Sequence, residues 1–117
     1  MKRTRIIIAE ENEVINNQIR NFLQQYEDIE IIGCCFSAKQ EIEMIDKLKP
    51  DIVITNLVKR GELSGMDIIR KYKTKGDNIK FLVITGSDEI DYSIVDGVIK
   101  KPFINMNIIY KEIKKII

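Results

Sequence analysis

Glu10 and Glu11, Asn56, Thr85 and Lys101 are the residues of this 117-residue sequence whose types and spacing could do chemistry together. Each follows or closes a short apolar run: Ile6-Ile7-Ile8-Ala9 leads to the acidic pair, Ile52-Val53-Ile54-Thr55 to Asn56, Leu82-Val83-Ile84 to Thr85, and Gly97-Val98-Ile99-Lys100 to Lys101. In open α/β sheets, function gathers at the carboxyl ends of such strands. Two carboxylates, an amide, a hydroxyl and an ammonium sharing one crevice suit a hard cation such as Mg²⁺, and the lysine and threonine suit a phosphoryl group. Each residue also has a plain structural reading. Glu10 and Glu11 can be strand-end charges, with Glu11 favourably placed at a helix start. Thr85 can be a β-branched strand residue, and Lys101 a surface lysine before Pro102.

The elements that must position these residues follow from periodicity. Arg5 to Ala9 reads as a first strand. Val14, Ile15, Ile19, Phe22, Leu23 and Tyr26 repeat with helical spacing, which predicts a helix over about 13–26 with Asn12 as its N-cap. A second strand is expected over Glu30–Phe36. Ser37 and Gln40 form a capping-box pattern before a helix whose apolar set is Ile42, Met44, Ile45 and Leu48, stopped by Pro50. The short apolar run after Pro50, closed by Asn56, reads as a strand buried on both faces. A loop over Leu57–Ser64 contains Gly61. Ser64 and Asp67 cap a third helix carrying Met66, Ile68, Ile69 and Tyr72 and ending before Gly76. Strands follow over Ile79–Thr85 and Gly97–Lys100. A last helix is predicted over Asn105–Ile117, with Ile108, Ile109, Ile113 and Ile116 inward and Lys111, Lys114 and Lys115 solvated. Strand and helix in alternation predict an α/β fold: a parallel sheet with helices on both faces and right-handed crossovers. Only Gly86–Asp96 joins the last two strands, less than the dozen or so residues a crossover usually takes. A fourth helix there has room for one or two turns around Tyr92 and Ile94.

Length and composition predict one domain over 1–117 with a real core. The formal net charge is +1, which gives no electrostatic case for nucleic-acid or membrane binding. No apolar run approaches the roughly 20 residues that span a bilayer. The Ile6–Ala9 stretch is too short for a signal peptide, so a cytoplasmic protein is expected. With no histidine and no C-x-x-C, zinc, haem and histidine-triad chemistry drop out. Cys34 and Cys35 are adjacent, so in a strand they point to opposite faces and do not bridge each other.

Four pieces in order resemble the receiver domain of two-component response regulators, over essentially the whole chain. Ile6-Ile7-Ile8-Ala9-Glu10-Glu11-Asn12 is similar to the family's first strand with its acidic pair. Pro50-Asp51-Ile52-Val53-Ile54-Thr55-Asn56-Leu57 is similar to the phosphoacceptor strand. Leu82-Val83-Ile84-Thr85-Gly86 matches the strand that carries the hydroxyl, and Lys100-Lys101-Pro102-Phe103 matches the Lys-Pro-Phe signature. The resemblance implies a doubly wound five-stranded parallel sheet in strand order 2-1-3-4-5. It implies an aspartate at the end of the third strand that takes a phosphoryl group from a histidine kinase. The acidic pair then holds Mg²⁺, Thr85 follows the phosphoryl oxygen and Lys101 pairs with it. Partners implied are a histidine kinase, an output domain or another regulator, and a homodimer through the region of the fifth helix. Neither direct nucleic-acid binding nor a membrane role is implied. Glu27–Phe36 also resembles receivers joined to DNA-binding output domains.

The sequence departs from that pattern at the centre of the chemistry. Asn56 stands at the phosphoacceptor position, and a carboxamide is not a nucleophile for acyl-phosphate formation. The acidic pair is Glu-Glu, one methylene longer on each side chain than Asp-Asp. The loop after the third strand lacks the usual proline, appears one residue longer and brings Lys59 and Arg60 near the site. Val98 occupies the position of the switch aromatic, which Tyr92 could replace, and the fourth helix is shortened. The expectation is therefore a phosphorylation-independent receiver that acts by protein–protein interaction and catalyses nothing. Glu10, Glu11 and Asn56 then form at most a weak Mg²⁺ site, and Lys101 makes a salt bridge to Glu11 or a hydrogen bond to Asn56. Two alternatives stay open. One is an ordinary phosphoaccepting receiver whose native aspartate has been replaced by Asn56. The other is a small flavodoxin-like nucleotide or flavin binder, which the acidic, glycine-free Glu10-Glu11-Asn12-Glu13 disfavours.

Overall fold

β-Branched residues dominate the strands, and their alternation decides which helix each one meets. In the computed structural model, which describes residues 2–57, 63–103 and 105–117, the order is β1 (Thr4–Ala9), α1 (Glu13–Leu23), β2 (Ile29–Cys35), α2 (Ala38–Leu48), β3 (Ile52–Thr55), α3 (Gly65–Thr74), β4 (Lys80–Thr85), β5 (Gly97–Lys100) and α4 (Asn107–Ile116). The five strands are all parallel and ordered β2-β1-β3-β4-β5. Ile7, Ala9, Val53, Phe81 and Val83 point to one face and pack with Ile45 of α2 and Ile68, Ile69 and Tyr72 of α3. Ile6, Ile8, Ile52, Ile54, Leu82 and Ile84 point to the other and pack with Ile19 and Leu23 of α1 and Ile109 and Ile113 of α4. This period-2 division gives the doubly wound architecture expected from the sequence.

Local chemistry sets the ends of the helices. The Asn12 side chain accepts from the N–H groups of Val14 and Ile15, and the Ser37 side chain from Gln40 N–H. The Gln40 amide oxygen reaches back to Phe36 N–H at 2.8 Å, one residue earlier than a strict capping box. At α3 the box is complete: Ser64 and Asp67 exchange both bonds, and these bonds hold the Asp67 carboxyl below the usual carboxylate range. Helix α2 ends on Lys49 in the left-handed region, at φ 49°. The guanidinium of Arg5 then donates to the carbonyls of Leu48 and Lys49, 2.8 Å each, satisfying orphan acceptors of that helix end.

Several expectations shift. Helix α1 stops at Leu23, and Val14 is 65% exposed rather than inward. Between β4 and β5 the chain makes only a turn over Tyr92–Ile94, so the expected short helix is absent and the expected fifth helix is α4. Ile90, Ile94 and Val95 of this connection pack on the core where a helix would lie, while Tyr92 is exposed. Eleven residues can cover that face when three of them are apolar, but they cannot also close helical turns. Ile108 is exposed, because the inward stripe of α4 runs through Ile109 and Ile113. Lys114 is only half solvated: it bonds Asp28 at 2.7 Å, and that hydrogen bond holds the Asp28 carboxyl below its usual range. Cys34 and Cys35 form no disulfide and face opposite core layers, as alternation requires.

Candidate functional site

Register brings the carboxyl ends of β1 and β3 level, while β4 runs two residues further to Thr85. Ala9 pairs with Thr55, and Thr55 with Val83, so Glu10 and Asn56 leave adjacent strands side by side. The Asn56 N–H donates to Ala9 C=O at 3.2 Å and holds that juxtaposition. Lys101 enters from β5, its N–H donating to Thr85 C=O at 2.9 Å, ahead of a cis Lys101–Pro102 peptide. The sequence-predicted residues thus meet at one end of the sheet. The loop residues 58–62, including Lys59 and Arg60, lie outside the described residues.

The ion pair of Lys101 differs from the expected one. Its Nζ lies 3.2 Å from Glu10 Oε1, so the partner is Glu10 and not Glu11. Burial explains the choice. Glu10 is 6% exposed and has little water to solvate its charge, whereas Glu11 is half-buried at the mouth of the crevice. The second oxygen of Glu10 accepts from Asn12 N–H at 3.2 Å. Both oxygens of the better-buried carboxylate are therefore engaged, and the third strand contributes a neutral amide. Among the described residues no three Asp, Glu, His or Cys side chains converge as a metal group. A hard cation favours several anionic oxygens free to coordinate it, and this donor set fits Mg²⁺ poorly.

Thr85 is fully buried, and its hydroxyl oxygen accepts from Ser87 N–H at 3.1 Å, turning the chain as β4 ends. The neighbouring Lys100 donates to Ser87 C=O and to Asp88, both at 2.6 Å, and this contact lowers the pKa of Asp88. Two consecutive lysines thus tie down the crevice and the connection that replaces a helix. The N–H groups that begin α1 are taken by its own Asn12 cap, which leaves no phosphate cradle there.

Three positioning residues escaped the sequence reading. Asn16 is fully buried, and its Nδ2 lies 3.4 Å from Ile8 C=O, 3.0 Å from Glu10 C=O and 3.2 Å from Cys35 C=O. It splices the ends of β1 and β2 beneath Glu10. Glu41 is fully buried on α2, and its Oε1 accepts from the Thr55 hydroxyl at 3.4 Å, one residue before Asn56. Both could have been found: Asn16-Ile19-Leu23 and Ala38-Glu41-Ile45 are helical stripes in which a polar residue sits on the inward side. Gly65 carried no such signal. A Cβ there would lie 2.6 Å from Leu57 Cα and 2.9 Å from Asn56 O, so only glycine lets α3 start against the end of β3.

Comparison with known proteins agrees with this geometry. The chain is 26% identical over 90 residues to the uncharacterized transcriptional regulatory protein YhcZ of Bacillus subtilis, covering 77% of this chain and 42% of that protein. It is 26% identical over 95 residues to the response regulator protein VraR of Staphylococcus aureus, covering 80% and 45%. The chain spans less than half the length of these curated relatives. Among solved structures it resembles a LuxR-family DNA-binding response regulator from Staphylococcus aureus, with a TM-score of 0.86 and 21% identity over 97% of this chain and 98% of that one. It also resembles RcsB from Salmonella enterica serovar Typhimurium bound to the rprA promoter, with a TM-score of 0.85 and 20% identity over 97% and 67%. The family profile described as the response regulator receiver domain matches residues 6–114. An acidic pair, a β3-end residue, a threonine and a lysine brought together by a 2-1-3-4-5 parallel sheet are the architecture of that family, and the chain belongs to it: it is a receiver domain of two-component response regulators.

Proposed function

We propose that this receiver works in two-component signalling without a phosphoryl group at residue 56, as an interaction module that a protein partner reads in its standing conformation. The observation that carries the reading is Asn56 itself, set by the β1–β3 register beside Glu10 at the position where the family's chemistry needs a carboxylate. An amide neither attacks a phosphoryl donor nor supplies negative charge to a metal. Three further observations point the same way. Lys101 is engaged by Glu10, Val98 stands in place of a switch aromatic, and the connection before β5 has no helix to move. Magnesium binds weakly on this reading, worse than millimolar. The partner is a histidine kinase, an output domain or another regulator, and the domain itself catalyses no reaction. No helix among the described residues is long and apolar enough to cross a membrane.

The test is to incubate the protein with acetyl phosphate, or with beryllofluoride, and magnesium, then record intact mass and backbone NMR spectra. Unchanged mass and unchanged shifts around Asn56, Thr85 and Lys101 are expected. A one-phosphate mass gain at residue 56 overturns the reading. A second reading, in which aspartate is native at position 56, is favoured by the survival of Thr85, Lys101 and an acidic residue in the crevice. An aspartate codon in the native coding sequence decides for it. The variant Asn56→Asp separates the remaining causes: if it too stays unphosphorylated, the rest of the crevice is deficient as well.

A further inference from the structure

The net charge of +1 is a sum over two unlike ends of the sheet. At the carboxyl ends Lys101 pairs with Glu10 and Lys100 with Asp88. At the amino ends Arg3, Lys47, Lys49, Lys71, Lys75 and Lys80 are all exposed, and none forms an ion pair among the described residues. Backbone contacts gather them there. Arg5 caps α2 at Leu48 and Lys49, and Lys80 N–H donates to Asp51 C=O at 2.9 Å. Lys47 and Lys71 sit in last helical turns, where a cation complements the helix dipole. Arg3 and Lys80 lie at the starts of strands and serve no helix end.

Lys49 and Lys75 line a single cavity of about 320 Å³ between α2 and α3. Its floor is apolar: Ile45, Pro50, Ile79 and the ring of Tyr72, all buried. The ammonium groups of Lys71 and Lys75 lie 5.4 and 5.5 Å from the centre of that ring. Of the carboxylates in the wall, Asp46 accepts from the Tyr72 hydroxyl at 2.7 Å and Asp51 from Arg5 N–H at 2.8 Å; Asp46 and Asp77 are exposed. The volume is at the low end of the roughly 300–1,000 Å³ typical of ligand pockets. It takes one side chain more readily than a cofactor.

We infer that this cavity, with its apolar floor and lysine rim, docks an acidic segment of a partner protein: one apolar side chain enters between α2 and α3, and flanking carboxylates meet Lys49, Lys75 and their neighbours. A phosphodiester backbone is the poorer occupant. It offers no apolar side chain to the floor of Ile45, Pro50, Ile79 and Tyr72, whereas a polypeptide supplies one and brings amide N–H groups that can donate to the aspartates of the wall. The surface lies at the opposite end of the sheet from Asn56. It stands whichever way residue 56 behaves.

The probe is a fluorescein-labelled peptide with one leucine flanked on each side by aspartates and glutamates, titrated with the full chain by anisotropy. Saturable micromolar binding is expected, with NMR shifts at Lys49, Tyr72 and Ile79 and a loss of affinity of at least tenfold between 50 and 500 mM NaCl. The Lys49→Gln/Lys75→Gln double variant, which changes only exposed side chains, is expected to bind at least tenfold more weakly with a melting temperature still well above that of the assay. Equal binding of a serine-for-leucine peptide overturns the apolar insertion. So do binding no tighter than millimolar, shifts centred on Asn56, or tighter binding of a DNA duplex at the same salt.

Discussion

The ammonium of Lys101 and the carboxylate of Glu10 meet at 3.2 Å across the mouth of the sheet, one partner nearly buried and the other about one-third exposed. Neither residue is easily replaced alone. Lys101→Met leaves a buried carboxylate without its cation and is expected to cost about 1–3 kcal/mol. Glu10→Gln removes the charge but keeps an acceptor for Asn12 N–H, so it costs less. The double variant is expected to be more stable than the sum of the two losses implies, as a coupled pair requires. Urea denaturation of the four proteins measures this; strict additivity contradicts the pairing.

Asn16 is the next weak point. Its Nδ2 serves three strand-end carbonyls in a site with no exposed surface. Asn16→Leu leaves those carbonyls short of a donor and is expected to lose about 1–3 kcal/mol. It also loosens the backbone at Glu10. Hydrogen exchange at Glu10 and Cys35, both measured against the wild type, is the check.

Tyr72 makes stability fall at alkaline pH. Burial, and then the Asp46 carboxylate that accepts a hydrogen bond from its hydroxyl, push its pKa far above the ordinary value of 10.0. A group whose folded pKa is raised contributes fully below its unfolded pKa, and its contribution is lost as pH rises through the window between the two values. Unfolding free energy is therefore expected to hold up to about pH 10 and then decline, once the unfolded chain releases a proton that the folded chain keeps. In Tyr72→Phe that decline is expected to be shallower. Chemical denaturation between pH 8 and 11 compares the two slopes, and identical slopes rule the account out.

Lys49 holds a left-handed backbone at φ 49°, where a Cβ is crowded. Glycine is relieved of that crowding but loses more conformational freedom on folding, so Lys49→Gly is expected to stabilise by about 0.5–1 kcal/mol net. The same variant should bind the acidic peptide more weakly. A raised melting temperature with reduced peptide affinity would show that stability and docking pull apart at this position.

The sheet was legible because it is built from redundant signals. Ile6–Ile8, Ile52–Ile54 and Phe81–Ile84 are β-branched or apolar on both faces, so strand identity and parallel pairing follow from the residues alone. The site was legible as a set of positions, since strand ends gather by register. Its wiring was not. Whether Lys101 chose Glu10 or Glu11 depended on which carboxylate is shielded from water, and shielding comes from α1 and β2 rather than from local sequence. Glu41 and Asn16 were hidden for the opposite reason. A polar residue within an amphipathic stripe reads as a flaw in the pattern until the carbonyl or hydroxyl that it serves is in place. The helix expected before β5 failed on arithmetic, because Ile90, Ile94 and Val95 had to cover the sheet within residues 86–96.

That short connection also bears on how the chain folds. The other parallel pairs in this sheet close over longer stretches of chain: residues 10–28 for β1 and β2, 10–51 for β1 and β3, and 56–79 for β3 and β4. Loop-closure entropy grows by about 0.6 kcal/mol for each doubling of length, so joining β5 to β4 across residues 86–96 is about 1 kcal/mol cheaper than joining β3 to β1. An edge strand of four residues can here be the first to find its neighbour.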